Sequence, residues 1–581
     1  MSAHHRREPD HPASRSLLTV GLDRSRVDLR LVPSAMFTWT VSAVSAFLPA
    51  SWSMVLSVSM GLAAGVLLFV QRKLVVRGGA VFQRGVLSDQ GKSRKSLQDG
   101  FSRIPRSRRR TLPATFAMAC LMAASVAAHA AADSRPREHG AVAKAVESRG
   151  PVVIHAIITG EPRELAPDSP GPGRWAVEAE IIDLAANGML NRSRTKILVT
   201  GGDGWGQVVP GQVIRTAGKL KPAWPGQVEA GVLAASTGPL PPDLQRRHEA
   251  EQDNPVNPAW LKEQFSAAAQ WLSGDAAGLM PGMVTGDTSR LDESLETAMK
   301  TTGTTHLNAV SGSNCSLIFG GLVLLARQLR LPRALAAAGA LAGLGVFVVM
   351  VGPDASVLRA ATMGAIGLAS LSAGRRGRSL GFLSMAITSL LILDPSLGIN
   401  VGFLLSVLAT LGIILLARPI ASWAPAWVPP WLSTAFAVPL AAQLLCGPVI
   451  VALQPTFSTY ALITNVVVAP FVAPVTILGT IALPLVPVLP WLAAGPLAVA
   501  GASAGIVAAV ARFFAALPGS ALPWPEGATG IVTMTLTSAI TAGLVWTAFH
   551  PDRVRGSVVA MHGRIVLLIA ATETTRRRRR V

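Results

Sequence analysis

Between residues 286 and 315 the chain sets a group of polar side chains against the start of a long apolar block. The run opens with Gly286-Asp287, passes through Thr302-Gly303-Thr304-Thr305-His306-Leu307-Asn308, and closes on Ser311-Gly312-Ser313-Asn314-Cys315. From there to about residue 550 the sequence is almost wholly apolar. Hydrocarbon offers no hydrogen bonds, so His306, Asn308, Ser311 and Asn314 in the first turns of a membrane helix must face a partner or water. Such groups suit the lining of a pore or cavity. A lone histidine at this place fits a hydrogen-bonded structural role equally well.

Three more places in the block carry polar chemistry. Asp354 and Arg359 flank the start of one apolar segment at i, i+5, a spacing that does not stack them on one helix face. A buried Arg can pair with phosphate through its planar fork, or it can snorkel and cap carbonyls. Asp394-Pro395 is followed by Asn400-Val401-Gly402-Phe403-Leu404-Leu405-Ser406, where Asn400 and Ser406 are the polar positions. Gln443, Gly447-Pro448, Ser458 and Asn465 come next, and then Pro470 and Pro474. Prolines inside apolar helices free carbonyls, which permits either a broken helix beside a cavity or a kinked, packed one.

The elements that must position these residues are membrane helices. Half of the 581 residues are hydrophobic and 14% are charged, the balance of a polytopic membrane protein. The first apolar run starts only near Met36, so no secretory signal opens the chain. Residues 36–50 and 52–70 predict a hairpin of two spans, and 113–132 a third. Nine further spans are predicted at 306–326, 334–352, 357–373, 379–394, 398–417, 433–453, 461–483, 493–516 and 527–549. The expected fold is therefore a polytopic α-helical membrane protein of about 12 helices.

Charge sets the predicted orientation. The formal charge of +20 sits mainly in a tail at 1–35, a basic loop at 71–112, which should be disordered, and a tail at 551–581. Lys and Arg collect on cytoplasmic loops, which explains this charge more simply than nucleic-acid binding does. Arg327, Arg330 and Arg333, then Arg375, Arg376 and Arg378, then Arg418, then Arg553 and Arg555, fall at alternate ends of the spans. That phase places both termini in the cytosol and residues 133–305 outside the plasma membrane. Arg512 is the one basic residue out of phase. Trp423, Trp427 and Trp431 fit an interfacial aromatic belt.

The outer segment holds 17 basic and 21 acidic residues and no cysteine. Strands are predicted at 151–159, 175–184, 195–200, 212–220 and 227–235, several alternating as in Val177-Glu178-Ala179-Glu180-Ile181. Five short strands fit a small closed barrel of the OB type over 145–240, inserted between membrane segments. Its aromatic supply for stacking bases is Trp175, Trp205 and Trp224. Residues 255–305 predict an amphipathic helical connector, with Trp260, Phe265, Ala268, Leu272, Leu279, Leu291 and Leu295 facing the membrane surface.

The run from Gly286 to Asn314 resembles the ComEC competence family, whose membrane domain carries Gly-Asp, Thr-Gly, His-Leu and Ser-Gly at similar spacing. Pro210-Gly211-Gln212-Val213-Ile214-Arg215 resembles the signature of that family's OB-like domain. Ser356-Val357-Leu358-Arg359-Ala360 resembles its Ser-Val-Leu-Arg-Ala, and Gly402, Phe403 and Ser406 match its Asp-x-Gly-Phe-Gln-Leu-Ser, with Asn400 for the Asp and Leu404 for the Gln. Asn314 stands where the family has a second His. The resemblance covers about residues 145–550, with the membrane domain at 306–550. It implies a channel for single-stranded transforming DNA, with His306, Asn308, Ser311, Asn314, Asp354, Arg359, Asn400, Ser406, Gln443 and Asn465 along the path. It also implies a separate DNA receptor, nuclease and cytoplasmic helicase, and leaves the oligomeric state open.

Enzyme chemistry is not expected. Family members often add a metallo-β-lactamase-like domain, but no His-x-His-x-Asp-His occurs here, and the chain stops about 30 residues after its last predicted span. There is no Walker loop and no Gly-x-Ser-x-Gly elbow. No metal or other cofactor is implied, and Cys120, Cys315 and Cys446 read as small buried residues. Two other functions fit a membrane chain with an outer domain: a small-solute transporter, for which no internal repeat is visible, and a membrane scaffold that binds partners through its outer domain.

Overall fold

The computed structural model describes residues 31–88, 107–148, 150–160, 162–165, 173–186, 189–208, 210–224, 227–240, 258–308, 310, 312–352, 355–372, 379–425, 427–550 and 561–562. The N-terminal tail, most of the C-terminal tail, Ser311, Asp354, and the arginines at 375, 376, 378, 553 and 555 lie outside these.

Three N-terminal helices come first: α1 (Val32–Ser45), α2 (Ala50–Ser88) and α3 (Ser107–His139). The expected basic loop is shorter than predicted, because α2 and α3 run into it from both sides. A helix already nucleated by an apolar span extends at little cost through Arg, Lys and Gln. A short helix, α4 (Ala141–Ser148), leads to the β domain.

Six strands follow: β1 (Pro151–Ile158), β2 (Arg163–Leu165), β3 (Arg174–Ala186), β4 (Met189–Gly201), β5 (Val213–Pro222) and β6 (Gly231–Ala235). The short β2, along the edge of β3, has no counterpart in the prediction. Pairing runs from β1 to β3, β3 to β4, β4 to β6, β6 to β5 and β5 back to β1. All are antiparallel except β4 with β6, where Leu198 faces Val232. Alternate residues point inward, so Ile154, Ile158, Val177, Ile181, Ile197, Ile214 and Leu233 form the core. Val142 and Ala145 of α4 pack onto it.

The connector folds as α5 (Pro258–Ala269), α6 (Ala276–Thr285) and α7 (Glu293–Thr301). Apart from Trp260, the side chains expected to face a membrane surface pack into or against a protein core. Phe265, Leu279 and Leu295 are fully buried, in one core with Val468, Val475, Leu497 and Val507. The amphipathic stripe is real, but protein covers it, and α6 is apolar on every side and buried from Gly278 to Thr285.

The apolar block forms α8 (Gly312–Gln328), α9 (Arg333–Val351), α10 (Ala355–Ser372), α11 (Ser379–Leu393), α12 (Val401–Gly412), a π-helical turn at Ile413–Ala417, α13 (Arg418–Trp423), α14 (Pro430–Leu453), α15 (Ala461–Val488), α16 (Pro490–Ala515) and α17 (Gly527–Phe549). Among the described residues eight helical stretches are long and apolar enough to cross a membrane. Their outer faces are apolar, with Val66, Val346 and Ile540 about 60% exposed. That is a surface made for lipid. Helix α15 stays continuous through Pro470, Pro474, Pro484 and Pro487, so no break opens there.

The N-terminal helices dock on the block through polar contacts at the end of α11. Trp39 Nε1 donates to Gly398 O at 2.8 Å, Ser42 Oγ donates to Pro395 O at 2.7 Å, and His129 Nδ1 lies 2.8 Å from Ile392 O. These side chains meet carbonyls that a helix end leaves unpaired.

Candidate functional site

The polar run begins where α6 ends. Gly286 has φ +79° and its N–H reaches Gly282 O at 3.0 Å, the left-handed closure that glycine adopts without strain. Asp287 then forms a compact turn. Its Oδ1 accepts from Ser289 N at 3.1 Å and Ser289 Oγ at 2.6 Å, and its Oδ2 accepts from the Ser266 hydroxyl of α5. Burial works to raise the Asp287 pKa, but the bonds from Ser266 and Ser289 and the charge of Lys262 outweigh it and hold the carboxyl below its usual range.

Asp292 caps α7, accepting from Leu295 N at 3.1 Å and from the Ser294 hydroxyl. Those bonds, with a further one from Arg512, bring its pKa down to about 2. Arg512 Nη2 reaches Asp292 Oδ1 at 3.0 Å, and the same guanidinium holds Asp275 just before α6. The arginine that broke the charge phase is thus held between two carboxylates.

The turn from α7 into α8 is packed tightly. Thr302 and Thr304 are fully buried with their hydroxyls 3.0 Å apart, and Thr302 Oγ1 donates back to Ala298 O at 2.9 Å. Gly303 O accepts from Asn465 Nδ2 at 3.5 Å, while the same amide donates to Ala461 O at 2.8 Å. His306 lies on the 3₁₀ turn Thr305–Leu307 and is open to solvent. Even so, desolvation by the surrounding protein lowers its pKa from the ordinary value, against a hydrogen bond with the Gly303 backbone that works the other way.

Beyond the turn the polar groups are closed off. Asn308 is 7% exposed and its Oδ1 has no hydrogen-bond partner among the described residues. Asn314, 4% exposed, donates from Nδ2 to Met283 O at 3.1 Å and accepts from Thr476 Oγ1 at 3.2 Å, joining α8 to α6 and α15. Ser356 Oγ donates to Val310 O at 2.9 Å. One turn further along α10 the Arg359 side chain, 6% exposed, donates from Nη1 to Ser406 O of α12.

The structure therefore gathers Asn314, Arg359 and Ser406, together with Asn308, around the turn into α8, and sets His306 and Asn465 on either side of Gly303. It does not bring Asn400 or Gln443 to that place. Asn400 is the N-cap of α12, with Oδ1 accepting from Phe403 N at 2.9 Å. Gln443 is half-buried on α14 and has no hydrogen-bond partner among the described residues. Ser266, Asp275, Asp292, Thr476 and Arg512 complete the network and were not picked out as site residues. The signal for Asp292 was present, as an Asp directly before a helical run.

Of the three tryptophans expected to supply the β domain's stacking surface, Trp205 is 1% exposed and belongs to the core. Trp175 packs against that core, which leaves Trp224, 75% exposed. Among the described residues no group of three or more His, Cys, Asp or Glu is placed to hold a metal.

A helical block with lipid-suited outer faces, a polar turn at its interior and a β domain inserted ahead of it defines a multi-pass membrane protein. Residues 283–549 match the family described as Competence protein. The chain is 29% identical over 154 residues to ComE operon protein 3 of Bacillus subtilis (strain 168), an alignment that takes in 26% of this chain and 20% of that protein. The match thus spans about a fifth of that relative's own length. No solved structure matches the chain. Both findings support a ComEC-like competence protein, the family match resting on residues 283–549.

Proposed function

We propose that the chain is the membrane-channel component that takes single-stranded transforming DNA across the plasma membrane in natural competence. One observation carries the reading: the Competence match starts at residue 283, in the last turn of α6, and takes in the polar turn and every helix of the apolar block packed on it. A chain of phosphates needs a polar route through hydrocarbon. It must also be held weakly enough to leave. Uncharged Asn, Thr and Ser with one arginine suit that better than a dense basic stripe would. Buried as they are, Asn314 and Arg359 would belong to a closed state of the route.

The finer architecture belongs to the same proposal. About 12 helices cross the membrane, both termini lie in the cytosol, and the β domain stands outside. The ring of five strand pairings with one parallel pair supports an OB-type barrel. The chain acts without catalysis of its own, and a separate receptor, nuclease and helicase supply capture, strand removal and pulling force.

The test is deletion of the gene in a host shown to be competent, followed by delivery of labelled DNA. Loss of nuclease-protected label from the cytosol, restored by the gene in trans, is the expected result. Undiminished uptake rejects the channel.

A further inference from the structure

Arg359 is a buried charge in the helical block that the described residues compensate poorly. A guanidinium stays protonated wherever it is placed. Burying it without an anion is costly. Among the described residues no carboxylate pairs with it, its Nε has no hydrogen-bond partner, and its one bond goes to the Ser406 carbonyl. That carbonyl already accepts Thr410 Oγ1 at 3.0 Å. Cys315 and Cys446 are its other electrostatic neighbours, and a thiol is ordinarily neutral at pH 7.

The other side of the guanidinium meets a second positive feature. A Cβ on Gly312 would stand 3.0 Å from Arg359 Nη2, so any other residue would crowd the approach. Gly312 is the first residue of the 17-residue helix α8. The opening N–H groups of a helix lack internal acceptors and carry partial positive charge. An arginine against such an end is unfavourable unless an anion lies between them, and with one it forms an anion site.

We infer that Arg359 and the first turn of α8 form a binding point for the phosphodiester of a DNA strand, closed in the empty protein by the Ser406 carbonyl. The inference rests on the DNA-uptake reading. The guanidinium fork matches two oxygens of one phosphate. The strand's phosphate displaces Ser406 O, the weaker acceptor because it is neutral. Release of that carbonyl frees α12 from α10, and α12 leads directly into the π-helical turn at Ile413–Ala417. Turns of that kind often accompany functional sites.

The test uses the full chain in a neutral detergent and follows thermal unfolding with a short oligothymidylate, the same oligomer with methylphosphonate linkages, and inorganic phosphate. A ligand that binds the folded state raises the midpoint. Oligothymidylate should raise it for the wild type, and the uncharged oligomer and free phosphate should not. Arg359→Gln should keep the ligand-free midpoint or raise it, yet lose the oligothymidylate shift. If Arg359→Gln does not fold, Arg359→Lys should retain less than half of the shift. An equal shift in wild type and variant places strand binding elsewhere and overturns the site alone. An equal shift from inorganic phosphate makes this a free-anion site and also overturns it. No shift of the wild type by oligothymidylate counts against the DNA reading itself.

Discussion

Arg512 and Asp275 meet through two bonds, Nε to Oδ2 at 2.5 Å and Nη2 to Oδ1 at 2.8 Å. The pair joins the last turn of α16 to the start of α6, so the connector is fastened to the block there. It also accounts for the arginine that fell out of phase, because a paired cation does not need the cytosolic side. Both groups are partly exposed, and solvent screens them. Exposed pairs are worth about 0.2–1 kcal/mol and forked ones lie at the upper end. A double-mutant cycle of Arg512→Ala and Asp275→Asn, read by thermal unfolding in detergent, should give a coupling of about 1 kcal/mol. Additive losses would show that the two side chains do not interact.

Asp287 should make stability depend on acidity. Its folded pKa is depressed, so the unfolded chain takes up its proton first. The stabilisation is present above the unfolded value of about 4 and is lost as pH falls through the lower folded value. Ser266→Ala removes one of the bonds that lower the pKa. Stability should then be lower at pH 7–8, and the gap to the wild type should narrow as pH falls from about 7 to about 3. Unfolding midpoints measured across that range check it, and coincident curves for both proteins would refute it.

Much of the fold was legible because apolar runs and alternating strands obey simple periods. Each predicted span overlaps a helix, eight such stretches among the described residues being long and apolar enough to cross a membrane, and the five predicted strands recur as β1, β3, β4, β5 and β6 with shifted ends. Tertiary burial decided what the sequence left open. The stripe of Phe265, Leu279 and Leu295 reads the same whether lipid or protein covers it. Trp205 reads as a stacking surface until the β-domain core packs around it. Pro470 and Pro474 fit a broken or a kinked, packed helix equally well in the sequence, and α15 runs unbroken through both. At the site, Asn314 and Arg359, picked out by residue type, are buried. Their partners, Met283 O and Ser406 O, are backbone atoms that no residue pattern reveals.

Asn400 illustrates a departure that costs little. Where the resembling family carries Asp, this chain uses Asn to cap α12, and the two are about equal as caps. Asn400→Asp should leave the unfolding midpoint nearly unchanged. Asn400→Ala should lose about 1 kcal/mol. Equal losses for both variants would mean that the cap bond to Phe403 N is unimportant.

Asn314 holds three elements together from a buried position. Asn314→Ala strands Met283 O and Thr476 Oγ1, and an unmet buried polar group costs about 1–3 kcal/mol. Thr476→Val should cost less, since Asn314 keeps its bond to Met283 O. Protein abundance in membranes and the unfolding midpoint should rank wild type above Thr476→Val above Asn314→Ala. The reverse order of the two variants would contradict this packing.

The account's central claim is that the strand passes beside the turn into α8. Transforming DNA with photoreactive thymines, stalled during uptake in a competent host and irradiated, tests this most directly. Crosslinked peptides should map to residues 302–315 and to the first turns of α10. Efficient uptake with crosslinks confined to the outer face of the β domain, or absent from this chain altogether, would contradict it.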